Sequence, residues 1–108
     1  MQLFNDHHFW HAHEAWETIW LKTKGPDKTF IQGLIQLTAA YHHVQRGTYK
    51  GAIRLFDAAF AKLDPFPAGH LGIDRAAAIE TARRHRTRIA DGEEIDAREY
   101  AKLTLVPG

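Results

Sequence analysis

Cysteine is absent, and with it any disulfide framework, cysteine nucleophile or thiolate metal site. No apolar run approaches the length of a bilayer span, so no membrane crossing is expected. Net charge is nearly absent too. Fourteen Lys and Arg against thirteen Asp and Glu leave +1, too balanced for nucleic-acid binding driven by net charge. The opening residues, MQLFNDHHFW, lack a basic stretch followed by an apolar one, so they do not read as a secretory signal. A cytoplasmic location is the expectation. Linkers and low-complexity tracts are missing as well, so the 108 residues are expected to form one domain, 1–108, around one core. What is present is ordinary globular composition, 44% apolar and 25% charged, with an unusual count of eight histidines. Most of these lie in the first half of the chain.

Gly25-Pro26, Gly47-Thr48, the stretch from Pro65 to Gly72, and Asp91-Gly92 are the strong punctuation. Between them lie four segments of helical length, none alternating in the manner of a strand. The first runs from about residue 6 to 22. Asn5 is a candidate cap, with Phe4 and Phe9 as a staple, and His7 is a candidate end of a preceding turn. The second runs from about Asp27 to Arg46 and is apolar over much of its circumference, which makes it the expected central helix. The third starts near Thr48, a candidate N-cap, and carries Ala52, Leu55, Phe56, Ala59 and Leu63 as its inner stripe. Asp74 caps the fourth, which reaches about Ala90. Residues 95–100 are expected to make a helical turn, and LTLVPG to end extended. The expected fold is an all-α bundle of four main helices with a short, partly extended tail. Its expected core is Phe9, Trp16, Trp20, Ile31, Leu34, Ile35, Leu55, Phe56, Leu63 and Ile79. A faint echo between residues 7–12 and 47–52 keeps a helical-repeat scaffold in view.

The stretch His13-Glu14-Ala15-Trp16-Glu17 carries the most chemistry. In a helix His13 and Glu17 stand one turn apart, on the face that also holds Phe9, Trp16 and Trp20. A carboxylate on an apolar face must be paired, hydrated or bound to something. The second helix offers Gln32, Gln36 and His43 on one polar stripe, with Ala39 and Ala40 leaving space between them. If the first two helices form an antiparallel hairpin, these stripes face each other.

Three readings follow. In one, the amides and imidazoles form a structural network within an interaction scaffold. In another, the cleft binds a small molecule or a partner segment, with His13, Glu14, Glu17, Trp20, Gln32, Gln36 and His43 around it and Trp10, Trp16 and Tyr41 as further walls. In the third, His13, Glu17 and His43 hold a divalent metal such as zinc and Glu14 is the base of a hydrolase. Metal-binding HExxH helices have that plan, with Glu17 here replacing the second histidine. A second stripe, His7, His11 and Glu14, looks exposed and suits adventitious metal. His8 and His42 read as surface or boundary residues. His70 and His85 have no partner identifiable from the sequence. Arg83, Arg84, Arg86 and Arg88 read as a solvated helix end with local ion pairs. A homodimer is an expectation from the aromatic content, 11% of residues.

The run FNxxxFWxAHEAWExxW, then FIQGLIQLxAAYHH, RGxxxGAxRLxxA and GID, resembles the small bacterial and archaeal domain-of-unknown-function family 309, from about Phe4 to Asp74. The resemblance implies an all-α fold and no particular activity. It carries the family's polar positions onto His13, Glu14, Glu17, Gln32, Gln36 and His43, and its small positions onto Gly33, Gly47, Gly51 and Ala52. Three residues depart from it: His7 stands where Gly is expected, His11 where an acid is expected, and Thr48 where Asn is expected.

Overall fold

The computed structural model describes residues 1–106; Pro107 and Gly108 lie outside the described residues. The chain is all-α, with no strand among the described residues beyond one isolated bridge. A single turn, α1 (Gln2–Asn5), precedes α2 (Phe9–Lys22), so the first segment is shorter than the periodicity suggests. His7 interrupts it at φ 64, a left-handed conformation that a helix cannot absorb. Asn5 therefore caps nothing. Its side chain clamps the tail instead, donating to the Leu103 carbonyl and accepting the Leu103 N–H, both at 2.8 Å. Phe4 and Phe9 do meet, edge to face at 5.2 Å, with both rings buried.

Gly25 at φ 69 reverses the chain and Pro26 starts α3 (Pro26–Arg46), where the missing proline N–H costs nothing. Gly47 ends α3 in the left-handed conformation, and the Thr48 N–H returns to the His43 carbonyl at 2.9 Å. α4 (Tyr49–Leu63) and, after a 3-10 turn at His70–Gly72, α5 (Arg75–Ala90) complete the main helices. Asp74 caps α5 by accepting the Ala77 N–H at 3.1 Å. A second 3-10 turn, Ala97–Glu99, leads into an extended tail whose Leu105 bridges Ile73.

α3 is the spine. α2 and α4 both pack on it, α4 packs in turn on α5, and α2 and α4 have no extensive contact with each other. The close approach of α4 depends on Gly33, where an added Cβ would lie 2.7 Å from Leu63 Cγ. Phe30, Leu34, Leu37, Tyr41, Phe56 and Leu63 are fully buried around this axis. Of the expected core, Trp20 and Leu55 are only partly buried, at the edge of the cluster.

The arginines of α5 are spent on ion pairs. Arg86 makes a two-pronged bond to Asp57 at 2.9 and 3.0 Å, Arg83 pairs with Asp64, and Arg88 pairs with Glu99 at 3.0 Å. They tie α5 to α4 and to the tail, alongside the local pairs Arg84–Glu80 and Arg88–Glu93. Among the described residues no helix is long and apolar enough to cross a membrane.

Candidate functional site

Because α2 and α4 flank α3 without closing over it, one stripe of α3 remains open. Gln32, Gln36, Ala39 and His43, which share a face by helical phase, are all half-buried. They form the floor of a trough, with α2 supplying the wall that carries chemistry.

Three adjoining hollows run along this trough. The first, about 200 Å3, lies between Phe9, Trp10, His13, Ala39, His42 and His43. The second, about 350 Å3, lies between His13, Glu17, Trp20, Leu21, Gln32 and Ile35. The third, about 480 Å3, lies between Trp20, Gly25, Lys28, Thr29, Gln32 and Lys62. His13 is shared by the first two, and Trp20 and Gln32 by the last two. The larger two fall in the size range of small-molecule sites.

His13 Nδ1 stands 3.5 Å from Glu17 Oε1, as one helical turn requires. The imidazole is sheltered, its side chain 27% exposed, and stacks in parallel on Trp10 with ring centres 6.2 Å apart. The Glu17 side chain is 53% exposed, so hydration meets the need for a partner that the sequence raised. Glu14 turns to the outer surface, 3.9 Å from His11. Gln36 Oε1 is buried and has no hydrogen-bond partner among the described residues. No hydrogen bond joins Gln32 or Gln36 to His13 or Glu17 among the described residues. The lysines of the third hollow are half-buried, and Lys28 Nζ lies over the Trp20 indole, 4.1 Å from the ring centre.

His43 lies at the far end of the floor. Its Nδ1 is 2.6 Å from the Thr48 hydroxyl, which also bonds the His43 carbonyl at 3.2 Å. Thr48 thus occupies the N-cap position of α4 while its side chain serves His43 and not the helix. Gly51 makes room for this ring, since a Cβ there would stand 3.0 Å from His43 Nδ1. Burial holds the neighbouring His42 below the ordinary histidine pKa, helped by the nearby Arg46, His43 and His13.

The residues singled out from the sequence are therefore only partly assembled. His13, Glu17, Trp20 and Gln32 line one hollow, and His13 and His43 line another. Glu14 faces away from both. The triad His13, Glu17 and His43 is in fact a pair plus a separate histidine engaged by Thr48. Among the described residues no three His, Asp or Glu side chains are grouped as metal ligands would be. Trp16 and Tyr41 do not wall the trough, because helical phase turns both into the core, where they are 7% and 0% exposed. His7 does not share a helical stripe with His11 and Glu14, because it precedes α2 and turns its ring against Phe9 and Tyr100.

Two histidines without a partner in the sequence have one in the fold. His70 Nε2 lies 2.7 Å from Asp27 Oδ1, tying the 3-10 turn to the start of α3. His85 Nδ1 lies 2.8 Å from the Tyr41 hydroxyl, within hydrogen-bond reach, and Tyr41 Oη accepts the Ala101 N–H at 3.4 Å. Burial pushes the Tyr41 pKa up and the His85 pKa down, so both side chains are held toward their neutral forms. The 44 residues that separate Tyr41 from His85, α4 among them, concealed this pair from a helical-phase reading.

Fold and site together define a small helical domain with an open polar trough on its central helix. The sequence profile of the family described as Domain of unknown function (DUF309) matches residues 1–55, about half of the chain, and the protein belongs to that family. The match covers α1, α2, α3 and the start of α4, the segments that build the trough apart from Lys62. No curated protein and no solved structure matches the chain.

Proposed function

We propose that the protein is a binding module whose trough, between α2 and α4 on the floor of α3, takes a small ligand. One observation carries this reading: along the trough His43 is held by Thr48, but Gln32 and Gln36 make no side-chain hydrogen bond among the described residues. Among the described residues Gln36 Oε1 is buried without a partner, and Glu17 forms an ion pair with His13 alone. A structural network would have joined the amides to the carboxylate, since an unsatisfied buried polar group costs about 1–3 kcal/mol. Gln32 and the half-exposed Glu17, which line the second hollow beside Trp20, are placed to meet something from outside.

The hydrolase alternative has less support. It needs a third ligand beside His13 and Glu17, and His43 is committed to Thr48. It also needs Glu14 as a base, and Glu14 points out of the trough with its side chain 58% exposed.

The test is Glu17→Gln in a thermal-shift screen of common metabolites against untagged protein. The expected outcome is an unchanged melting temperature without ligand, and loss of whatever shift a ligand gives wild type. A variant that melts far below wild type, with no ligand found for either protein, would return the residues to a structural role.

A further inference from the structure

The two larger hollows carry opposite charge. The one between α2 and α3 has the Glu17 carboxylate at its rim and the Gln32 amide at its base. The adjoining one has Lys28 and Lys62, neither paired with a carboxylate among the described residues. They meet at Trp20 and Gln32, which belong to both. Both lysines are half-buried, as long side chains are when their stems cover apolar surface. Lys28 is further restrained by the indole face 4.1 Å away. Leu21 and Ile35 line the acidic hollow, and the Trp20 ring stands at the junction, so the surface between the two charges is apolar.

We propose that the trough binds a short zwitterion of about dipeptide length with an apolar side group. Its ammonium lies at Glu17, its carboxylate lies at Lys28 and Lys62, and its apolar body lies along Trp20, Leu21 and Ile35. Opposite charges at the two ends of one trough attract a dipole in one orientation and give a singly charged molecule only half of the contacts. The charges of an α-amino acid flank one carbon, whereas here the carboxylate and the lysines belong to separate hollows that meet at Trp20 and Gln32. The dipeptide backbone adds the needed length, and its amide can bond Gln32 at the junction. This proposal rests on the reading of the trough as a binding site.

The test is a calorimetric titration with three matched probes: Ala-Phe, its C-terminal amide and its N-acetyl form. These present both charges, the cation alone and the anion alone. The expected result is that Ala-Phe binds at least about tenfold more tightly than either analogue. Glu17→Gln should erase its advantage over the N-acetyl form, and Lys62→Gln its advantage over the amide. Both positions lie at the rim, and amide nitrogen-15 spectra of the two variants confirm the fold.

Equal binding of Ala-Phe and one singly charged analogue would overturn the zwitterion and leave the trough a site for that charge. Silence of all three probes would overturn the zwitterion as well. The binding reading itself falls only if the metabolite screen is also blank.

Discussion

The two faces of α3 treat polar groups in opposite ways. On the face toward α5 and the tail, Tyr41 is fully buried, and its hydroxyl bonds the His85 ring and accepts the Ala101 N–H. Around it, Asn5 clamps Leu103 with two bonds, and arginines of α5 reach α4 and the tail. On the opposite face Gln32 and Gln36 make no side-chain hydrogen bond among the described residues, the Gln36 side-chain carbonyl is buried without a partner, and the facing carboxylate is half in water. One helix therefore carries polar side chains that hold the fold and polar side chains that do not. Burial alone does not separate them; what separates them is whether their hydrogen bonds are already made.

The largest expected effect is on the closed face. Tyr41→Phe keeps the ring but leaves His85 Nδ1 and the Ala101 N–H buried without their partner. It should cost about 1–3 kcal/mol in urea unfolding, because each lost partner leaves a desolvated group. Loosening should appear first as faster amide exchange in residues 95–106, which this bond anchors.

Acid should act on the same face. His85 has its pKa held below the ordinary 6.5, chiefly by burial and also by Arg88 and Arg84, with Glu99 acting the other way. Its neutral form is the folded one, and the unfolded chain binds a proton first as pH falls. Stability should therefore be full above about pH 6.5 and decline as pH falls from there toward the folded pKa. His42 has the same sign. Urea midpoints of wild type and His85→Asn at pH 7.5 and 5.5 isolate the His85 part. The expected outcome is a shallower pH dependence in the variant, and equal slopes would show that His85 does not titrate with unfolding.

Next in size is His7. Its φ of 64 falls where the family resemblance leads one to expect Gly, and glycine adopts that conformation without strain. The His7 ring packs on Phe9 and Tyr100, but its Nε2 is buried without a partner. Relief of strain and loss of packing oppose each other in His7→Gly, so its midpoint should move by less than about 1 kcal/mol, as denaturant titration can check. The smallest effect is expected at Glu17. A half-exposed carboxylate near one imidazole contributes little, so Glu17→Gln should change stability by no more than about 0.5 kcal/mol.

Helical phase made much of this legible. It placed Gln32, Gln36 and His43 on one stripe and His13 with Glu17 on another, and it set the ends of α3 and the Asp74 cap. It did not show that α4 is the second flank of the trough. That arrangement comes from Gly33 admitting Leu63 at close range, a contact between residues 30 apart in sequence. The roles of His70 and His85 were hidden for a similar reason, since their partners Asp27 and Tyr41 lie 43 and 44 residues away. Tyr41 was misplaced as a wall because an aromatic ring with a hydroxyl suits a pocket and a core equally well. The Asn5 clamp was illegible because it depends on where the tail docks.

The contrast between the two faces rests on Gln36 more than on any other residue. Gln36→Met keeps the length and helix propensity of the side chain and removes the unpartnered carbonyl. If the trough side chains have no structural duty, the urea midpoint of this variant at pH 7.5 stays at or above that of wild type. A fall of about 1 kcal/mol or more would show that Gln36 holds the fold, and that its hydrogen bonds are spent after all.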